Sequence, residues 1–331
     1  GFSIVCLSLV SCNGEGKESP NGGELSQFET LTPEIEALSQ KIMGNPSNPE
    51  LYFERAKQYL GYDNMKLALQ DFQAAYQLDS SNADYTLSLA EMHFSLNESK
   101  EAIGVLERFV ERESGHPDVL LQLAYYCFYT RQYQNAANYI NTALKADAQN
   151  ADAYFLKGLI YEEIGDTALA ISSYTTAVNV NPDFYSAFIQ LGFMYRDQND
   201  PLCIQYLDNA LEIDPRSSEA WHAKGDYYRQ NDNLKMAISC YREMVKIDPQ
   251  GPDGVYNLAT VYLGMDSIEK AYRFYDLTIK NDPIKAAAHY GKGICAKAMG
   301  NTDEALKLYT QALNIDPDYE AAKVEQEKLM P

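Results

Sequence analysis

Few residues of this chain have the types and spacing that catalysis or metal binding would need. A catalytic or metal-binding histidine needs a partner base, nucleophile or second ligand at a characteristic spacing, and no such motif accompanies the histidines here. The sequence also has no glycine-rich phosphate loop, no His-Glu-x-x-His and no nucleophile elbow. We therefore expect no enzyme, no metal and no cofactor. The four scattered histidines are His93, His116, His222 and His289.

The cysteines divide into two groups, and only Cys12 lies in a context that predicts chemistry. It follows an apolar, uncharged run at 1–11 that is too short to cross a bilayer and that is typical of the hydrophobic region of a secretory signal. Because an initiating Met and a basic start are missing, we expect the sequence to be truncated at its N-terminus. The later cysteines occupy predicted helices without facing positions or metal-ligand spacing, so we expect packing roles for them. They are Cys127, Cys203, Cys240 and Cys295.

The run Leu9-Val10-Ser11-Cys12 resembles the lipobox of bacterial lipoproteins. In that family the signal is cut before the cysteine, which is then acylated on its sulfur and on its new amine. The resemblance implies that Cys12 is the lipidated first residue of a mature protein, held on a membrane by several acyl chains. The alternatives are an ordinary cleaved signal or an apolar terminus with an unmodified cysteine. The Gly-, Ser-, Asn- and Glu-rich stretch at 12–30 is predicted to be a flexible linker.

The net charge of −20 and the isoelectric point near 4.6 argue against a nucleic-acid partner, because phosphate binding needs a basic surface. Part of this acidity has a local explanation, since six acids fall in the first turn of predicted helices, where the helix dipole favours anions. An acidic surface that recognises a basic partner is the other interpretation. The six first-turn acids are Glu50, Asp84, Asp118, Asp152, Glu219 and Asp253.

Small residues recur with a period of about 34 over most of the chain, in two interlocked series. Such a period predicts a solenoid of stacked helix pairs rather than one compact core. The first series is Ala56, Ala90, Ala124, Gly158, Gly192, Gly225, Ala259 and Gly293. The second, twelve residues later, is Ala68, Ala102, Ala136, Ala170, Cys203, Ala237, Ala271 and Ala305.

The clearest repeat is 151–184, in which large residues such as Tyr174 face small ones such as Gly158 at helical spacing, and Asn181-Pro182 ends the second helix. This pattern resembles the tetratricopeptide repeat. The resemblance implies an all-α fold, a right-handed superhelical solenoid of about eight helix pairs with N- and C-terminal capping helices. The predicted organisation is a signal remnant at 1–11, lipidated Cys12 and linker at 12–30, a capping helix at 31–48, eight repeats at 49–319 and a closing helix at 320–331.

In the tetratricopeptide-repeat family the first helix of each pair lines a concave groove in which ligands lie. Carried over to this chain, the groove is unusually apolar in its middle, which favours burial of partner side chains. The alternative is that these side chains form secondary core. The chaperone-binding members grip a carboxylate with Lys, Asn and Arg, whereas the corresponding positions here carry mostly Phe, Leu, Glu and Asp, so we expect no such clamp. The predicted partner-binding residues are Phe53, Leu87, Leu121, Tyr125, Phe128, Phe155, Leu159, Ile189, Phe193, His222, Tyr256 and Tyr290.

The two resemblances together predict a lipid-anchored scaffold in the envelope of a Gram-negative bacterium. We expect it to bind a protein or peptide partner as an accessory subunit of an outer-membrane assembly or transport complex, on either the periplasmic or the exposed face. A glycan- or nutrient-capturing surface lipoprotein is the alternative, because aromatic rings also stack on sugars. That alternative needs polar groups beside the rings, for which Asp226, Asn257 and Gln190 are candidates. A cytoplasmic adaptor is a third possibility, if Cys12 is not processed.

Overall fold

The computed structural model of the protein describes residues 32–330, and within them all regular structure is α-helical. The predicted signal, Cys12 and the linker up to residue 30 lie outside the described residues. In chain order the helices are α1 (Pro33–Gly44), α2 (Pro49–Gly61), α3 (Met65–Leu78), α4 (Ala83–Ser95), α5 (Ser99–Val110), α6 (Pro117–Tyr129), α7 (Tyr133–Ala146), α8 (Ala151–Glu163), α9 (Thr167–Val180), α10 (Tyr185–Asp197), α11 (Leu202–Ile213), α12 (Ser218–Gln230), α13 (Leu234–Ile247), α14 (Pro252–Gly264), α15 (Ile268–Asn281), α16 (Ala286–Ala298), α17 (Thr302–Ile315) and α18 (Glu320–Glu327).

The helices divide into two compact units, one ending at Asp79 and the other beginning at Ser80. In the first unit α2 packs on both α1 and α3. Thr32 caps α1 with its side-chain oxygen, which accepts the amide of Ile35 at 3.3 Å. Arg55 joins the helices of this unit, because its guanidinium bonds both carboxylate oxygens of buried Asp71, at 2.6 and 2.8 Å.

The second unit contains seven helix pairs followed by α18, and in four of these pairs a glycine of the first helix accepts a large side chain of the second helix. A Cβ added to Gly158 would lie 2.4 Å from the ring of Tyr174, so only glycine permits this approach. Equivalent close approaches join Gly192 to Leu207, Gly225 to Tyr241 and Gly293 to Tyr309. The prediction of an all-α stack of helix pairs is confirmed.

From α7 onward, a carboxylate or amide side chain follows each second helix and organises the turn into the next segment. Asp214, for example, accepts the amide of Arg216 at 2.9 Å while Pro215 lies between them. The proline cannot continue the helix, and the side-chain bond satisfies an amide that would otherwise lack a partner. The same bond forms at Asp147, Asn181, Asp248, Asp282 and Asp316.

The repeat at 185–217 is one residue short, and its second helix begins one residue later than the sequence suggests. The Asp200-Pro201 sequence at this turn predicts an N-cap followed by a proline at the first helical position. Instead α11 begins at Leu202, with Pro201 at the cap position and the Asp200 carboxylate accepting the amide of Leu202 at 2.9 Å. Pro201 already has near-helical angles (φ −62°, ψ −16°), so the prediction is wrong by one residue and the capping role of Asp200 remains.

Several first helices of the second unit pack on the first helix of the next pair, which brings the outward faces of these helices side by side. The contacts join α4 to α6, α6 to α8, α10 to α12 and α14 to α16. Equivalent repeat positions of each joined pair of first helices therefore lie on neighbouring helices. Among residues 32–330, no helix combines the length and the hydropathy needed to cross a bilayer.

Candidate functional site

Eleven of the twelve residues predicted to bind a partner lie on first helices of the second unit, and Phe53 lies in the first unit. The Phe53 ring packs edge-on against Phe72 at 5.6 Å, and the ammonium of Lys57 lies over it at 4.8 Å. Since Phe53 belongs to a separate unit, we do not include it in the site described below.

The first helix α6 presents a ledge of three aromatic rings. The hydroxyl of Tyr125 donates to that of Tyr129 at 3.0 Å, and their ring centroids are 4.6 Å apart. Phe128 packs edge-on against Tyr129 at 5.6 Å. Tyr129 is 56% exposed although its neighbours hold it in place. A ring that is both exposed and preorganised suits contact with another molecule.

Phe94 of α4 extends this ledge, and its role was not predicted. Its ring stacks on buried Tyr126 with centroids 4.0 Å apart and meets the edge of Tyr129 at 6.0 Å. Phe94 precedes Phe128 by 34 residues, so it occupies the same repeat position. The repeat period could therefore have identified it once Phe128 was chosen.

The strip continues onto α8 and α10 through half-buried residues that pack against the core. Phe155 contacts the ring of Tyr174 at 5.4 Å and that of Phe184 at 5.0 Å, and Leu159 lies one turn further along α8. On α10 the guanidinium of Arg196 covers one face of Phe193 at 5.0 Å. Part of each side chain packs in the core and part stays open to solvent. The partner-binding and secondary-core interpretations therefore each apply to part of its surface.

Ile189 requires a correction. It is only 4% exposed and belongs to the core with Phe188 and Leu191. Helix α10 packs on α9, α11 and α12, and Ile189 lies in the core that these helices share. A side chain buried in this way cannot contact a partner, and we remove it from the site.

The three predicted residues nearest the C-terminus have partners within the chain. His222 Nε2 lies 3.6 Å from Asp226 Oδ2, and the Lys285 ammonium lies over the Tyr256 ring at 5.1 Å. The Tyr290 ring packs edge-on against Tyr319, the residue before α18, at 5.3 Å. All three side chains are half-buried, and each has a charged or aromatic neighbour within the chain.

These observations define an apolar strip that runs across the outward faces of four successive first helices, α4, α6, α8 and α10. Its side chains are half-buried or exposed, so each keeps surface available to another molecule. The apolar strip consists of Leu87, Phe94, Leu121, Tyr125, Phe128, Tyr129, Phe155, Leu159 and Phe193.

Asp152 lies at the N-terminal end of this strip on α8, one turn before Phe155. Its side chain is half-buried, and no ion pair or hydrogen bond reaches its carboxylate from residues 32–330. Burial raises the pKa of Asp152, because removal of water disfavours the charged form. The repeat pattern could not have indicated this burial, since Asp84 and Asp118 occupy the same repeat position and are exposed.

Covalent and metal chemistry have no support in the part of the chain that the structure describes. All four described cysteines are buried, and burial raises the pKa of Cys127, Cys203 and Cys240 to about 11, as it does for Cys295. These thiols stay protonated at neutral pH and are poor nucleophiles. Within residues 32–330 there is also no group of three or more His, Cys, Asp or Glu side chains that could hold a metal ion.

Known structures share this arrangement of helices. The C-terminal part of a TPR repeat-containing protein from Cytophaga hutchinsonii is 19% identical, with a TM-score of 0.62 over 71% of this chain and 97% of that one. PilW, described as a widely conserved type IV pilus biogenesis factor, is 23% identical, with a TM-score of 0.52 over 63% of this chain and 97% of that one. At these identities the likeness is one of fold.

Curated relatives match only parts of their own length. The general transcriptional corepressor ssn6 of Schizosaccharomyces pombe is 33% identical over 95 residues, which are 28% of this chain and 9% of the corepressor. This chain spans less than half the length of the curated relatives that it matches.

Family profiles, each described as the tetratricopeptide repeat, match residues 46–117, 121–186, 218–250 and 286–319. The matches together cover well over half of the chain and follow the helix pairs of the structure. The chain belongs to the tetratricopeptide-repeat family.

Proposed function

We propose that this protein is a non-enzymatic scaffold that binds a protein or peptide partner on the apolar strip of α4, α6, α8 and α10. The observation that carries the proposal is the ledge of Tyr125, Phe128 and Tyr129, in which the exposed ring of Tyr129 is fixed by contacts with the half-buried rings of the other two. Rings held in place lose little side-chain freedom on binding, so more of their burial energy becomes affinity. Tetratricopeptide-repeat proteins mediate protein–protein interactions, which agrees with this use of the strip.

The experiment that tests the strip is a pull-down with the double variant Tyr125→Ala/Phe193→Ala. Central aromatic residues carry most interface energy, so the double variant should weaken a protein partner by about 2–4 kcal/mol. The matched single variants are Tyr129→Ala in the strip and Tyr62→Ala in the first unit, because the two side chains are 56% and 52% exposed. Only Tyr129→Ala should reduce capture of the partner. Equal capture by both single variants and the double variant would contradict the assignment.

The same variants decide between a protein partner and a glycan. Stacking on a sugar would require free polar groups beside the rings, and Asp226 already accepts the Tyr241 hydroxyl at 2.7 Å and lies 3.5 Å from Arg229. No observation on the strip favours a glycan over a polypeptide. If Tyr125→Ala/Phe193→Ala removes binding to an oligosaccharide while capture of the protein partner is unchanged, the strip captures glycans and not a protein partner.

We further propose that Cys12 is acylated and that the scaffold is an accessory subunit of an assembly or transport complex at the outer membrane. The support for the anchor is the lipobox-like Leu9–Cys12 sequence. PilW provides one example of this fold in a protein described as a pilus biogenesis factor, although its likeness to this chain is one of fold alone. The native protein should fractionate with membranes and incorporate labelled palmitate, and Cys12→Ala should abolish the label. Equal labelling of wild type and variant would exclude the anchor.

A further inference from the structure

We propose that the segment bound on the apolar strip carries cationic side chains among apolar ones, and that one Lys or Arg of this segment pairs with Asp152. This inference rests on the proposed function, because it names the chemistry of the polypeptide that the strip binds. Its basis is the placement of an unpaired carboxylate beside apolar side chains, together with the charge of the helices that form the strip.

Asp152 differs from the other acids in the first turn of first helices. Glu50, Asp84, Asp118, Glu219 and Asp253 are all exposed, whereas Asp152 is half-buried. Glu219 also accepts the hydroxyl of Tyr185 at 2.6 Å, and Asp253 receives the ammonium of Lys285 at 2.8 Å. Within the described residues, no donor reaches Asp152.

Helix capping does not explain the position of Asp152. Asn150 is the N-cap of α8, and its side-chain oxygen accepts the amide of Ala153 at 2.8 Å. The helix dipole favours an anion in the first turn, but an exposed carboxylate satisfies that preference equally well. Partial burial without a partner costs free energy, which a cation from another molecule would offset.

The apolar strip continues directly from Asp152. Phe155 lies one turn further along α8, and Leu159 one turn beyond it, so the carboxylate and both apolar side chains share one face. Since α6 packs against α8, Leu121 and Tyr125 lie on the neighbouring helix at corresponding positions. A segment lying across these helices would meet an anion and apolar surface within one or two turns.

The charges on α4, α6 and α8 are almost all negative. Lysine occurs once on these helices, as Lys157, which is half-buried. On α10, Arg196 is neutralised by Asp197 at 2.7 Å. The acids of the three helices are Asp84, Glu91, Asp118, Asp152, Glu162 and Glu163.

This charge selects a basic polypeptide over other partners. An acidic peptide, a nucleic acid or an anionic lipid surface would be repelled by the carboxylates around the strip. A purely polar cationic segment would leave the rings of Tyr125 and Phe193 uncovered. The occupant that suits both the negative charge and the apolar rings is a segment in which Lys or Arg is interspersed with Leu, Phe or similar side chains.

The test measures binding of three short fluorescein-labelled peptides to the full chain by fluorescence anisotropy. The first intersperses Lys and Leu among Gly and Ser, the second replaces each Lys by Glu, and the third replaces each Leu by Ser. We expect binding of the Lys-Leu peptide alone. Asp152→Asn should weaken it about tenfold, the loss of one charged hydrogen bond.

Asp303→Asn is the matched control, since Asp303 is also the second residue of its helix, α17, but is exposed and lies outside the strip. It removes the same net charge and should leave affinity unchanged. Equal weakening by Asp152→Asn and Asp303→Asn would mean that only net charge matters and would overturn the inference. So would failure of the Lys-Leu peptide to bind, or equal binding of the Lys-Ser peptide.

Failure of the inference and failure of the proposed function give different results. If the Glu-Leu peptide binds as well as the Lys-Leu peptide and Tyr125→Ala/Phe193→Ala abolishes both, the strip binds polypeptides and the cation preference is wrong. If the double variant keeps its helical circular dichroism and binds the Lys-Leu peptide like wild type, the strip is not the site and both proposals fail. Tyr129→Ala replaces the double variant should the latter unfold, because Tyr129 is largely exposed.

Discussion

Gly158→Ala tests whether the close approach of α8 and α9 excludes any side chain larger than that of glycine at position 158. An added Cβ would lie 2.4 Å from Cε1 and 2.5 Å from Cδ1 of Tyr174. The ring cannot move aside easily, because Tyr174 is fully buried and its hydroxyl donates to Glu162 at 2.7 Å. The substitution should therefore force apart two packed helices.

The magnitude follows from two opposing effects. Replacing glycine by alanine inside a helix stabilises it by about 1 kcal/mol, since alanine has the higher helix propensity. Overpacking a close-packed core costs about 1–3 kcal/mol, and the short distance to Tyr174 favours the upper end of that range. We expect a net loss of about 1–2 kcal/mol from the free energy of local unfolding.

Gly104→Ala is the matched control, because Gly104 lies inside α5 and its added Cβ would meet only the flexible end of Arg108, at 3.4 Å. This variant should gain the helix propensity alone. Amide hydrogen exchange is the appropriate assay, since a repeat array opens locally and a single global transition is not assured. Exchange should accelerate in α8 and α9 of Gly158→Ala and slow in α5 of Gly104→Ala. Equal stabilisation by both substitutions would refute the reasoning.

Three further outcomes are expected. Tyr174→Phe should cost about 1 kcal/mol through loss of the hydrogen bond to Glu162, seen as faster exchange in α8 and α9. The pKa of Asp276 is lowered by hydrogen bonds from Lys280 and Lys292, so its stabilisation is present at neutral pH and is lost as pH falls through the folded-state pKa. Urea unfolding of Asp276→Asn should accordingly depend less on pH in that range. Burial raises the pKa of Asp152, so burying the charged carboxylate costs free energy at neutral pH, and this cost is relieved as pH falls. Asp152→Asn should therefore raise the free energy of unfolding at neutral pH in the same assay.

The fold could be predicted because its determinants are local and periodic. Gly158 and Gly225 recur where a second helix brings a tyrosine ring close, and each added Cβ would lie within 2.5 Å of that ring. Asp214 and Asp248 recur where a side chain must accept an amide beyond the end of a helix. A repeated packing constraint leaves a repeated residue in the sequence, and such a pattern identifies a solenoid without knowledge of its long-range contacts.

The site was less predictable, because equivalent repeat positions have different neighbours. Phe155, Ile189 and Tyr290 have the same place in their repeats, yet Phe155 stays partly exposed, Ile189 is in the core and Tyr290 packs against Tyr319. These differences arise from contacts of α10 with its neighbours and from the segment leading into α18, which the period of one repeat does not encode. Sequence position indicates which face a residue is on, and tertiary packing determines how much of it another molecule can reach.

Asp152 shows why this distinction matters for function. On its sequence alone it is one of several acids in first turns, and the helix dipole accounts for all of them equally. Burial separates it from Asp84 and Asp118, and the absence of a donor among the described residues makes that burial unfavourable for the isolated chain. Sites that bind ligands often retain such locally unfavourable groups, because the ligand supplies the missing partner. The residue that weakens the unbound scaffold is therefore the one that gives its apolar surface a preference among partners.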